Sequence, residues 1–458
     1  MSPKSNDTTM AHVQRLTTGE TINQPARDIP VYAKCDVLVI GGGPAGCSAA
    51  AAAARMGADV ILVERYGHLG GMSTGGFVLW IDRMTDWDGK LVIAGFAKEV
   101  LDRLPADSIV GSPKESWGSK DPELVRFWEQ RSGAAHGTLT WSPVIDPEML
   151  KIAYNDLVLA RGGKLLLHSW AVSAIQEGRV VRGAVFESKS GRWAILGKAV
   201  IDATGDGDIA ALAGAEFESD IEDKAIHSTV NVAFRWGGVD FDRYCNFWRN
   251  EKEKFDKITA QAEALTGTEG RPWNSPRNDV ALFMGPRFYG YDCTNVRDLT
   301  EVEVRSRRIM LKMLDFYRKN MPGFEKAWIL DTAPQIGTRH SRRFLGDKFV
   351  ARQDWLSGVR HADEIGVCPP PKPGVPNVSV PLGCLVPKSL DNLLVAGRNL
   401  SCDAPSHTFL REVPVCWLMG QASGVAAAVS VASGVPVHKV DVQAVRRELV
   451  KQGAYLRE

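Results

Sequence analysis

The most constraining feature of this chain is the order of residue types in "CDVLVIGGGPAGCSAAAAAARMGADVILVE", residues 35–64. "CDVLVI" is a short apolar run rich in Val and Ile that ends in glycines, the pattern of a buried parallel strand. Gly41, Gly43 and Gly46 then stand as G-x-G-x-x-G. The first permits a tight turn, the second lets backbone approach a pyrophosphate, and the third lets helix and strand pack closely. Pro44 suits a first helical turn, and the six alanines Ala49 to Ala54 favour a slim helix whose positive N-terminus faces phosphate. A second strand, "DVILVE", ends at Glu64, 18 residues after Gly46. At that distance a carboxylate accepts hydrogen bonds from an adenosine ribose. Strand, turn, helix, strand and acid together specify a dinucleotide site.

A second glycine burst, "RYGHLGGMSTGG" at 65–76, follows where a nicotinamide-binding domain would run into another helix. A flexible lead-in of this kind suits a longer, bent ligand and points to FAD. A further fingerprint-like run, "ATGDGD" with Gly205, Gly207 and then Ala210, raises a separate NAD(P) domain as an alternative. No strand, acid and helix unit of normal length follows it, so the run is read as part of the first site.

Length and charge bound the remainder. At 458 residues the chain exceeds a single core, and two or three units are expected. Its 55 Lys and Arg against 54 Asp and Glu give no basic surface for nucleic acid or anionic lipid, so the expected partner is a small-molecule substrate. No apolar run approaches the roughly 18 residues of a membrane span, and the opening residues lack the pattern of a secretory signal. A soluble cytoplasmic protein without a membrane span is expected. The eight cysteines include no C-x-x-C or metal spacing, so neither a structural metal nor a disulfide relay is expected.

Three separated blocks carry a family resemblance: "GGGPAG" with "VER…LGGM", "VIDATGDGDIAALAG" at 200–214, and "LLVAGRNLSCDAPSHTFLREVPVCWLMGQASG" at 393–424. Together with "APQIGTRHSRR" at 333–343, the chain resembles FAD-dependent oxidoreductases with a glutathione-reductase type of flavin domain. The resemblance implies FAD contacts at Gly41, Gly43, Pro44, Ala45, Gly46, Glu64 and Arg65, and at Gly70, Gly71, Met72 and Ser73. It implies further contacts at Ala171, Thr204, Gly205, Gly397, Arg398 and Gln421. The implied fold is α/β: a Rossmann-like FAD-binding domain, with a parallel sheet plus a small antiparallel sheet, interrupted by a mixed α+β substrate domain. Its expected boundaries are a flexible tail at 1–30, a discontinuous FAD domain at 31–75, 146–215 and 390–435, a substrate or cap domain at 76–145 and 216–389, and a C-terminal helix at 436–458.

Local signals fill in that outline. Asp146 and Pro147 open a helix that stops at Gly162, and residues 164–205 read as strands joined by "EG" and "SG" turns. Two long helices are expected at 241–265 and 300–320, and "CPPPKPGVPNVSVPLG" is expected to cross as a loop. Asp82, Asp86 and Asp88 are read as solvated carboxylates, and the tryptophans of the insertions as core residues.

The chemistry expected is hydride transfer from a small organic molecule to flavin N5, as a dehydrogenase or oxidase. The helix beginning near Pro414 supplies a positive pole for the reduced ring. His407, placed in the loop before that helix, is the first candidate for a proton acceptor, although the family's usual histidine aligns with Ala404. Arg411 would hold an anion, and His340, where the family commonly has glutamate, joins Arg339 as a second candidate group. Reduction of an activated C=C bond and non-catalytic flavin binding remain alternatives. The electron acceptor, covalent or non-covalent FAD, and assembly into a homo-oligomer stay open.

Overall fold

The computed structural model describes residues 19–219, 229–268 and 270–457. Most of the expected N-terminal tail lies outside these residues. The described chain divides into two compact units: residues 29–75, 79–219 and 342–457 form the larger, and residues 19–28, 76–78 and 229–341 the smaller. Segments 79–145 and 342–389, expected with a substrate domain, therefore belong to the larger unit.

In the larger unit β1 (Val31–Ile40) leads into α1 (Pro44–Arg55) and β2 (Val60–Val63), as the opening motif requires. After a stretch of short elements come α2 (Pro147–Leu159), β3 (Lys164–Leu166), β4 (Trp170–Glu177), β5 (Val180–Ser188), β6 (Gly191–Asp202) and the one-turn α3 (Asp208–Leu212). The chain re-enters with β7 (Leu393–Val395), α4 (Ala404–Leu410), α5 (Val413–Ser433) and α6 (Val442–Lys451). Strands β3, β2, β1, β6 and β7 pair in parallel in that order, and β4, β5 and β6 form an antiparallel meander. The 12-residue β6 serves both: its first half pairs with β5 and its last three residues with β7.

Covered on both faces, the parallel strands need continuous apolar sequence. Val37, Leu38 and Val39 are fully buried, as are all four residues of β2. Helices α1 and α5 cross the sheet in backbone contact. A Cβ on Gly420 would lie 2.1 Å from the Ala45 carbonyl oxygen, and one on Gly424 would lie 2.2 Å from that of Ala49. The small residues of both helices exist for this approach. α5 is long and apolar enough to cross a membrane, but most of it is buried within the unit.

The smaller unit is mixed α+β. Two three-stranded antiparallel sheets, one of 230–231, 287–288 and 337–338 and one of 234–237, 280–283 and 328–332, pack with helices at 241–250, 252–266 and 296–320. Its core is aromatic: Phe234 stacks on Phe283 with ring centroids 4.8 Å apart, and fully buried Trp236 lies 4.4 Å from Phe283. Trp236 is thus a core residue, as its sequence setting suggested.

Three local expectations change. The helix expected over 241–265 breaks at Glu251, whose φ of −128° and ψ of 48° leave the helical region. The proline-rich loop contains a strand, Val378–Pro381, paired with Glu364–Cys368, because β-branched Val378 and Val380 turn inward. Asp86 is buried rather than solvated: it accepts from the amides of Asp88 and Lys90 and from Asn377 Nδ2, and so closes a turn.

Candidate FAD site

The first glycine turn has little freedom. Gly41 has φ of +98°, and a Cβ there would lie 2.5 Å from the Ala203 carbonyl oxygen. At Gly46 a Cβ would fall 1.8 Å from the Gly41 oxygen. Gly43 differs, because nothing among the described residues lies within 4 Å of its Cβ position. It is the N-cap of α1 and offers no side-chain cap, while Pro44 and Ala45 form a buried first turn. Open space therefore meets the uncapped positive end of a 12-residue helix.

Glu64, 7% exposed, follows β2 and turns back on this loop. Its Oε2 accepts from the Gly42 amide at 2.5 Å and its Oε1 from the Tyr66 amide at 2.8 Å. Burial raises its pKa and these two amides oppose the rise. Each oxygen retains a second lone pair for a hydroxyl. Arg65 lies 5.0 Å from the Tyr66 ring and 5.2 Å from that of Trp170, and Ala171 is buried in β4 opposite Phe186.

The second glycine burst folds against the first. Gly70 (φ +99°) donates its amide to the Gly42 carbonyl at 2.7 Å, and Gly71, Met72 and Ser73 form a 3₁₀ turn. A Cβ on Gly71 would come within 2.9 Å of Gly43 Cα. Across the sheet, Thr204 and Gly205 follow β6, and Gly397 and Arg398 follow β7. Arg398 and Asp206 pair at 2.5 Å with side chains 11% and 12% exposed. Arg342 Nη1 donates to the Asp206 carbonyl at 3.0 Å and to Asp208 at 3.1 Å.

Several expected residues have other duties. His407 lies in helix α4 rather than in a loop and is 1% exposed. Its Nε2 is 2.8 Å from the Arg398 carbonyl oxygen. A carbonyl only accepts, so Nε2 carries the proton and holds the Gly397–Arg398 turn; this is not the geometry of a base at that atom. Gln421 has both ends of its amide engaged within the fold: its Oε1 accepts from the Phe96 amide and its Nε2 donates to the Gln452 carbonyl. Arg411 ends α4, 3.3 Å from Glu412, with its buried Nε lacking a partner among the described residues. Arg339 and His340 belong to the smaller unit, where Arg339 Nη1 donates to Thr229 Oγ1 and Asn231 Oδ1 and His340 is 1% exposed. The candidate catalytic residues are thus divided between the two units.

Asp202 escaped notice. It ends β6 fully buried, accepts from the Thr204 amide, Thr204 Oγ1 and the Ala210 amide, and burial lifts its pKa to about 6. A lone acid after the apolar run "AVI" was the available signal.

Fold and glycine turns define an α/β nucleotide-binding protein. The sequence model of the FAD dependent oxidoreductase family matches residues 36–449. This chain belongs to that family, and FAD is its cofactor. Among solved structures, a geranylgeranyl bacteriochlorophyll reductase-like protein from Thermoplasma acidophilum is 14% identical, with 92% of this chain and 82% of that one covered at a TM-score of 0.47. A variant of a flavin-dependent brominase is 14% identical over 91% of this chain and 84% of its own, with a TM-score of 0.46. The p-nitrophenol 4-monooxygenase of Pseudomonas putida is 12% identical over 92% and 85%, with a TM-score of 0.43.

The donor set fits this cofactor. The open space at Gly43 faces an uncapped helix end suited to pyrophosphate, and buried Glu64 has lone pairs suited to ribose hydroxyls.

Proposed function

We propose that the enzyme is a dehydrogenase or oxidase that takes hydride from a small organic substrate. The observation supporting this reading is the stagger of two helix N-termini. Gly420 lies against Ala45 and Gly424 against Ala49, so α5 and α1 run parallel. Residue 419 is level with Pro44, and α5 begins six residues earlier at Val413. At 1.5 Å per residue its N-terminus stands about 9 Å beyond that of α1. Neither helix has a side-chain cap.

Two positive poles along one direction suit a ligand with a phosphate centre and, farther on, a ring edge that becomes negative. FAD, when bound, supplies the hydride acceptor. The amides of the first turn of α5 would stabilise negative charge on such an edge, at about 0.3–2 kcal/mol for a helix terminus. Arg411, beside this turn and with no partner for its Nε among the described residues, would add a cation able to hold an anionic substrate group or the flavin ring. His407 keeps Gly397 and Arg398 in place through the Arg398 carbonyl.

The test is anaerobic mixing of the FAD-loaded protein with panels of alcohols, amines and unsaturated acids. Loss of oxidised-flavin absorbance with an alcohol or amine is the expected outcome. Reoxidation of dithionite-reduced protein by an unsaturated acid alone would replace this reading with a reductase, and no reaction in either direction would remove turnover from the proposal.

A further inference from the structure

We infer that Tyr154 is a positioning residue for FAD, acting through a directed hydrogen-bond chain from α5 to the second glycine turn. Tyr154 is fully buried on α2. An apolar ring would satisfy the packing there, and a buried hydroxyl is costly unless bonded. This hydroxyl has two partners: Trp417 Nε1 at 2.7 Å and Ser73 Oγ at 3.0 Å. Ser73 Oγ in turn donates to the Gly70 carbonyl at 2.8 Å.

Proton order along the chain follows from its two ends. An indole N–H only donates and a carbonyl only accepts. Trp417 therefore donates to Tyr154, Tyr154 to Ser73, and Ser73 to Gly70. Ser48 Oγ on α1 donates to the Trp417 carbonyl at 2.6 Å, which ties the same α5 residue to the helix behind the first glycine turn. The Tyr154 ring also walls the second turn: a Cβ on Gly70 would lie 2.7 Å from its Cε2. The hydroxyl thus fixes the height of Gly70, whose amide reaches Gly42, and of Gly71, which rests on Gly43. Burial holds the phenol well above its ordinary pKa, so the donor persists across the working pH range.

The inference rests on the assignment of residues 70–73 to FAD. Its test is FAD titration of deflavinated protein, with melting of the apoprotein read in parallel. Tyr154→Phe leaves the indole N–H and the Ser73 oxygen short of a partner and is expected to raise the FAD dissociation constant about 10-fold. Ser73→Ala should do the same, and the double variant should bind no more weakly than about either single one, because both break one chain. Gly71→Ala probes the underlying assignment, since its Cβ would collide with Gly43. Unchanged affinity in Gly71→Ala would remove the turn from the FAD site. Weakened affinity there, with wild-type affinity and only a lower apoprotein melting temperature in Tyr154→Phe, would overturn the positioning role alone. Multiplicative effects in the double variant would also overturn it. Should Tyr154→Phe fail to fold, Ser73→Ala reads the same link.

Discussion

Two glycine turns stand side by side at the ends of adjacent parallel strands, Gly41–Gly46 after β1 and Gly205–Gly207 after β6, with Ile40 opposite Asp202. Both precede a helix and both match a nucleotide fingerprint closely enough to compete for that reading. In the second turn, strand β6 supplies the anion itself: Asp202 takes up the Thr204 amide and hydroxyl and the Ala210 amide at the start of α3. The first turn begins a longer helix with no cap and open space at Gly43. The difference teaches that glycine spacing marks a turn, whereas the donors left unspent mark a ligand site. A turn that carries its own carboxylate has already neutralised the helix end.

The largest expected effect comes from breaking the first turn outright. Gly46→Ala places a Cβ 1.8 Å from a carbonyl oxygen that cannot move without disturbing β1, and overpacking of this kind should cost more than about 3 kcal/mol. No FAD should remain after purification, and urea unfolding should reveal the loss. FAD retention by Gly46→Ala would contradict the close packing of α1.

Breaking the internal anion comes next. Asp202→Ala strands two buried amides and a hydroxyl, with an expected loss of about 2–3 kcal/mol in the apoprotein. The same residue predicts a pH dependence. Its folded pKa of about 6 lies above the ordinary 3.8, so its contribution is complete below that lower value and is lost as pH rises through about 6. The change is on the order of 3 kcal/mol. Wild-type apoprotein should lose stability across this window, and Asp202→Ala should show a shallower slope. An identical slope in both would place the titration elsewhere.

Glu64→Ala should act on both the ligand and the fold, because it also leaves the Gly42 and Tyr66 amides without their acceptor. If the Glu64 carboxylate accepts from the ribose, its loss is expected to raise the FAD dissociation constant by about 10- to 100-fold, readable by equilibrium dialysis. The smallest effect on the apoprotein belongs to Gly43→Ala. Its φ of −70° suits alanine and its Cβ meets nothing, so the apoprotein should change by less than about 1 kcal/mol while FAD binding weakens. Equal losses in apoprotein stability and FAD binding would erase the contrast between an open turn and a filled one.

Within the larger unit, β1, α1, β2, the Asp146-capped helix and the β4–β6 meander were legible because each is written in neighbouring residues: an apolar run, a cap, a glycine turn. Spacing alone singled out Glu64, and the structure brings its carboxylate back to the Gly42 amide of the first turn. His407 was not legible, since nothing local tells a loop histidine from one in a two-turn helix facing the Arg398 carbonyl. Gln421 matched a family motif, yet its amide is consumed by Phe96 and Gln452, which are 325 and 31 residues away in the chain.

By itself, the sequence determined the backbone path of the nucleotide-binding core, because steric limits on glycine, the Ala-rich helix and alternation between strand and turn act over a few residues. Only the tertiary structure decided which polar groups remain available to a ligand. Asp202, Tyr154 and Trp417 acquire their meaning from partners brought together by sheet order and by the contact of α1 with α5. A hydrogen bond made inside the fold removes a donor or acceptor from the site, and that accounting closes only when distant segments meet.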